Sequence, residues 1–228
     1  MISLKNIIII FSLFGLTIKL NAQNSLISEI EIFGGPCLSN YWGKYRPKDQ
    51  VVNLTYFYGA GVSHKFNGKL EISGKLLFEQ KGNKMQYVET FYDDNNVPTT
   101  SEFVQGSELD YLTFLVYLNY YLDKRDRFYA GFGGFLSRLR KSMTYTEVRS
   151  LQGGVISYYY ANDDSFNDFD YGLSTMVGYK IPFRPKLIFN IRLIGSMGLS
   201  DIVKSEIPTE GPTKCFNLLL SVGFTFKL

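Results

Sequence analysis

The stretch KCFNLLLSVGFTFKL, Lys214 to Leu228, decides the fold. Along it Phe216, Leu218, Leu220, Val222, Phe224, Phe226 and Leu228 fall on one face, while Asn217, Ser221, Gly223, Thr225 and Lys227 share the other with Leu219. That alternation has the period of a strand, and its apolar face never breaks. A tilted strand crosses a bilayer in about 9 to 11 residues, so this one is long enough to span. A face so continuous needs an equally apolar neighbour. Together with the leader described next, it points to lipid and to a β-barrel closed by this strand.

Met1 to about Ala22 reads as a secretory signal peptide, leaving residues 23–228 as one domain. Lys5 supplies the basic start, Ile7 to Ile18 the apolar stretch, and Leu20-Asn21-Ala22 a small residue at the cut. That apolar stretch is too short for a membrane helix, and no later segment approaches the ~20 apolar residues such a helix needs. Strands must do any spanning. The formal net charge of +3 falls to about +1 once Lys5 and Lys19 leave with the leader, which argues against a nucleic-acid partner. Aromatic residues make up 16% of the chain, enough to supply interfacial girdles.

Working back from the closing strand, the same alternation recurs seven times. Strands are expected over Glu29 to Ser39, Val52 to Phe66, Lys69 to Gln80, Glu108 to Leu122, Phe128 to about Leu139, Asp168 to Ile181 and Lys186 to Ser200. Pro36 removes a ladder donor from the first, where a bulge or weak pairing is expected. Asn67-Gly68 is the strongest hairpin signal. Tyr41 to Gln50, with the only Trp, reads as a loop, as do the polar runs Lys81 to Ser107 and Arg140 to Asn167. Short and long connections alternate. The expected architecture is all-β: a transmembrane up-and-down antiparallel barrel of about eight strands, with short periplasmic turns and long extracellular loops.

The polar face must be the lumen, because a mid-strand Lys or Arg facing lipid costs roughly 2 to 4 kcal/mol. Lys75 and Arg192 lie mid-strand on that face. It also carries Glu29, Glu31, Glu71, Glu79, Asp170, Lys65, Lys180 and Lys227, so both signs are present in similar number. A narrow barrel has room inside for side chains alone. A lumen plugged by ion pairs and tyrosine hydroxyls follows, with Glu31, Glu71, Lys75, Asp170, Lys180 and Arg192 at its centre.

Several stretches resemble a known family. The run from Leu109 to Asp123 (LDYLTFLVYLNYYLD), followed by Arg127 to Phe135 (RFYAGFGGF), is similar to the PorT-like outer-membrane β-barrel proteins of Bacteroidetes, in which a Tyr-Tyr pair ends one strand before a charged turn and a Phe-Tyr strand. Phe33 to Asn40, Phe78 to Gly82, Phe169 to Ser174 and Gly223 to Leu228 are also similar. The resemblance covers the mature chain and departs at Cys37, where the family often has a small or polar residue. It implies the barrel fold and, through its namesake, an association with secretion, but offers no catalytic motif to carry over.

No catalytic, cofactor-binding or metal residue is expected. Ser63 next to the only histidine, His64, points to the opposite face of a strand, which separates hydroxyl from imidazole. The acid-rich run Asn162 to Asp170 lacks the spacing, central Gly and closing Glu of an EF-hand loop. Cys37 and Cys215 share lumen parity on the first and last strands, and a disulfide would staple that seam if their Cα atoms come within about 7 Å. Tyr92, Tyr158, Tyr159 and Tyr160 put aromatics into the two longest loops, where they can meet a partner or pack the loops on themselves. The expected role is a non-enzymatic scaffold or accessory subunit of an envelope or secretion assembly, in contact with outer-membrane lipid. A small transport channel and a lipid-modifying enzyme are the alternatives.

Overall fold

The computed structural model describes residues 27–43, 49–66, 68–92, 98–150, 154–161, 165–204 and 211–228. The expected leader, Asn67 of the hairpin signal and residues 162–164 of the acid run lie outside the described residues. The strands are β1 (Glu29–Gly43), β2 (Gln50–Val51), β3 (Asn53–Lys65), β4 (Leu70–Tyr92), β5 (Pro98–Tyr121), β6 (Phe128–Ser150), β7 (Val155–Ala161), β8 (Phe169–Arg184), β9 (Leu187–Gly198) and β10 (Thr213–Lys227). Eight of them form a closed antiparallel ring, β1-β3-β4-β5-β6-β8-β9-β10, in which β10 returns to pair with β1. The two short strands are accessory: β2 pairs with β4 and β7 with β6.

The closing strand behaves as its alternation requires. Asn217, Leu219, Ser221, Gly223 and Thr225 are buried inside, whereas Phe216, Leu220, Val222, Phe224 and Phe226 are exposed outside. The rest of the ring repeats this inversion, with Leu54 68% and Phe132 59% exposed while Lys75 is 3% and Arg192 2% exposed. A soluble barrel would have the opposite sense, and an apolar exterior of this extent is stable only in lipid.

The closing seam carries the expected flaw. The β1–β10 register runs from Glu29↔Lys227 to Gly34↔Val222 and resumes at Cys37↔Leu219, leaving Gly35 and Pro36 unpaired on that side. A Cβ on Gly35 would lie 2.0 Å from the Leu220 carbonyl oxygen, so the close approach demands glycine.

Among the described residues, most of the two long polar runs is strand rather than loop. β4 and β5 stay paired from Leu70↔Tyr120 to Tyr92↔Pro98, and β6 continues to Ser150 before β7 returns beside it. Alternation weakens above Gln80 because neither face there meets lipid, but the backbone ladder continues. The first strand likewise runs on to Gly43, taking Trp42 out of the expected loop. β8 also runs past Pro182 to Arg184, beyond the expected end at Ile181. At ~3.4 Å per residue and ~40° of tilt, a strand as long as β5 rises roughly 60 Å, against an apolar band of ~25 Å. The β4-β5-β6-β7 hairpins therefore project as a sheet well beyond the lipid.

Candidate functional site: the filled lumen and the projecting sheet

The lumen is built in tiers. Nearest the tight turns, Lys180 on β8 lies 2.6 Å from Glu29 and 3.0 Å from Glu71. The Tyr121 hydroxyl and the Asn119 amide donate to the Glu71 carboxylate. Lys65 and Asp126 pair at 2.5 Å across the mouth, half-exposed. In the middle tier Glu31 accepts from both Lys75 and Arg192, whose Nε also donates to the Tyr129 hydroxyl at 2.8 Å. Both cations stand over the Phe33 ring. Above them Lys81 meets Asp170 at 2.9 Å, Glu79 at 3.2 Å and the Ser137 hydroxyl at 3.1 Å. Thr113 donates to Glu79 at 2.6 Å, and Ser200 to Asp170 at 2.7 Å.

Rings and aliphatics fill the space between these ions. Phe33, Phe57, Leu77, Leu115, Tyr117, Tyr121, Tyr129, Phe135, Met176, Ile194 and Leu219 form one buried cluster. Tyr41, Leu109, Tyr111, Phe166, Ile202 and Cys215 form a second toward the projecting sheet. Among the described residues the fully buried charges are Glu31, Glu71, Glu79 and Asp170 against Lys75, Lys81, Lys180 and Arg192. They balance in number, and the pairs offset the large cost of burying any one charge alone.

All six lumen charges expected at the centre, Glu31, Glu71, Lys75, Asp170, Lys180 and Arg192, are buried, and each is paired within one of these tiers. Glu79 joins them, Glu29 and Lys65 line the mouth half-buried, and Lys227 ends exposed. Lys81 falls outside the expected set, because its polar stretch reads as a loop. Continuing the odd-numbered parity of Glu71, Lys75 and Glu79 by one step would have found it.

The expected disulfide does not form. Cys37 and Cys215 are both buried and free. They do share the seam and the lumen face, but Cys37 sits opposite Leu219 and Cys215 opposite Tyr41. That offset of four residues is about 13 Å along the strand, far beyond disulfide reach.

Ser63 and His64 face opposite ways, yet His64 is met by another hydroxyl: Ser28 Oγ lies 3.3 Å from its Nδ1. Among the described residues no ion pair brings a carboxylate to this ring. No group of three or more His, Cys, Asp or Glu side chains among the described residues could hold a metal ion.

The projecting sheet carries the loop aromatics. Tyr87 stacks on Phe103 at 5.4 Å, Phe91 meets the same ring edge-on at 5.8 Å, and Tyr145 lies 6.2 Å from Tyr159. Part of the aromatic content thus packs the sheet on itself. Tyr92, Tyr158, Tyr159 and Tyr160 nonetheless remain exposed, and every residue of β7 is exposed. Lys84, Val104, Glu108, Tyr145, Glu147, Arg149 and Tyr159 line a small cleft in this sheet, of about 170 Å³. Burial there, reinforced by the nearby Glu108 and Glu147 carboxylates, raises the Tyr145 hydroxyl pKa above its ordinary value.

A family model described as outer membrane protein beta-barrel domain matches residues 21–204. No curated protein matches the sequence. Among solved structures, Ail, the attachment invasion locus protein of Yersinia pestis, matches at 13% identity over 88% of this chain and 100% of its own, with a TM-score of 0.32. Neisserial surface protein A matches at 10% identity over 87% and 97%, with a TM-score of 0.41. OprG from Pseudomonas aeruginosa matches at 12% over 89% and 97%, with a TM-score of 0.39.

Proposed function

The chain belongs to the outer membrane protein β-barrel family, and from that premise we propose that it works as a non-enzymatic scaffold or accessory subunit of an envelope or secretion assembly. The observation that carries this reading is the length of β4, β5 and β6. They run far beyond what the lipid requires and end in a sheet whose Tyr92, Tyr158, Tyr159 and Tyr160 are open to a partner. Exposed tyrosines are favoured at interfaces because they bury large apolar area and keep a polar handle. The signal peptide over residues 1–22 delivers it to the envelope, and its place is among the PorT-like proteins.

The rival readings have less support. A transport channel needs a path, and the lumen is filled by paired ions and rings. A lipid-modifying enzyme needs an activated nucleophile, and the Ser28–His64 contact has no carboxylate orienting the ring among the described residues. The test is a mild-detergent pull-down of the tagged protein from native outer membranes, with partners identified by mass spectrometry. A stoichiometric envelope protein, lost when Tyr158, Tyr159 and Tyr160 are changed together to Ser, is the expected result. Recovery of the protein alone in several detergents overturns it.

A further inference from the structure

The outer margin of the lipid-facing band holds a cluster that the scaffold reading does not use. Along β6 the outward face runs Phe132, Leu136, Arg138, all exposed, with Ser137 turned into the lumen. Above Arg138 the alternation breaks. The β5–β6 register steps from Tyr111↔Leu139 to Asp110↔Lys141, so Arg140 is an extra residue with no cross-strand partner. Leu139 packs against the inner apolar cluster and Ser142 is buried, while both Arg140 and Lys141 between them are exposed. Without this β-bulge, strict alternation would turn one of those two cations inward; with it, three cations within four residues point outward.

Their level is set by their neighbours. Arg138 pairs with Leu112 on one side and Phe169 on the other, the last apolar positions of their strands before the polar stretch. The cations therefore lie where the band ends, at the height of the lipid headgroups on the side of the projecting sheet. Carboxylates are close in sequence register: Asp110 opposite Lys141, and Asp168, whose carbonyl accepts from the Leu139 amide. Asp110 accepts from the Gln80 amide at 3.2 Å. Among the described residues no ion pair engages Arg138, Arg140 or Lys141. Three like charges so close along one strand repel one another, and an anion of matching height relieves that repulsion.

We propose that Arg138, Arg140 and Lys141 form a binding site for the phosphate groups of an anionic lipid in the outer leaflet. Arginine forks bind phosphate oxygens in bidentate fashion, and the ammonium adds a point charge. The apolar positions below and beside Arg138, Leu136 and Phe169, would lie against the acyl chains of the same molecule. The two features together distinguish a lipid site from a site for free phosphate.

The experiment titrates the full-length protein, in a phosphate-free detergent, with diphosphorylated lipid A, with its dephosphorylated form and with inorganic phosphate, reading occupancy by native mass spectrometry. R138Q/R140Q/K141Q is compared with K124Q/R125Q/R127Q at the opposite rim, folding of each being checked by heat-dependent gel mobility. The expected result is that the β6 variant binds diphosphorylated lipid at least about tenfold more weakly, the opposite-rim variant binds as the parent does, and inorganic phosphate does not compete at millimolar concentration. Equal binding by the parent and the β6 variant would overturn the proposal, as would equal loss at both rims. Inorganic phosphate binding that is lost in the β6 variant, with no gain from acyl chains, would also overturn it.

Discussion

Lys81 Nζ on β4 lies 2.9 Å from Asp170 on β8, both side chains out of reach of solvent, and 3.2 Å from Glu79. One ammonium thus separates two buried carboxylates and ties opposite walls of the barrel together. Replacing it by Lys81→Met leaves the carboxylates facing one another with no counter-charge. A loss of about 3 to 5 kcal/mol is expected, read by urea unfolding of the refolded protein in micelles. The neutral set K81M/E79Q/D170N should recover most of that loss, since the cost lies in unpaired charge. Parent-like stability of K81M alone would show that the tier contributes nothing.

The middle tier fills the lumen where Glu31 binds Lys75 and Arg192, both cations standing over the Phe33 ring. The parent protein should give no steps above background in planar bilayers. E31A/K75A/R192A removes three long side chains together, so that none of the tier's charges is left without its partner, and should open small, discrete conductances. A silent variant would mean that the apolar cluster around Tyr41 and Tyr111 seals the barrel by itself; a conducting parent would remove the plugged-lumen account altogether.

The barrel was legible because lipid imposes period two on the strands it touches, and that constraint recurs on every strand of the ring, from Ile30 on the first to Phe226 on the last. Parity also assigned the lumen charges, since Lys75 or Arg192 had only one affordable side. Legibility ended where lipid ended. Above Gln80 and Arg138 both faces of the sheet meet water or each other, so Lys81 to Tyr92, Met143 to Arg149 and Val155 to Ala161 lose their alternation while keeping their ladder. The Cys37–Cys215 pairing failed for another reason. Parity gives the face, but the residue opposite is set by the stagger of the closing strands, and no local pattern encodes that stagger.

Because both thiols are buried and four registers apart, neither a disulfide nor ready labelling is expected. Maleimide should leave the folded protein unmodified and add two labels after unfolding without reductant. Labelling that requires prior reduction would contradict the register, and labelling of the folded protein would contradict the burial.

At the seam, Gly35 leaves no room for a side chain against the Leu220 carbonyl. Gly35→Val should push β1 from β10 and destabilise the barrel by about 1 to 3 kcal/mol, visible as a lower melting temperature on heat-dependent gels. Gly68, which has open space around it, is the control: Gly68→Ala should be nearly silent.

The charged turn between β5 and β6 gives a pH signature. Against a desolvation cost, the backbone N–H groups of Phe128, Arg127 and Arg125 hold the half-buried Asp123 carboxyl below its usual range. A folded-state pKa below the unfolded value of about 3.9 stabilises the fold above that pH, and the contribution fades as pH falls through the folded value. Asp123→Ala loses the acceptor at every pH. The stability gap between parent and D123A should therefore be widest at neutral pH, begin to close below about pH 4, and be smallest in acid, where the parent carboxyl is protonated too. Urea melts at pH 7, 5 and 3 read this directly. A gap that stays constant would assign the effect of D123A to turn geometry rather than to the carboxylate.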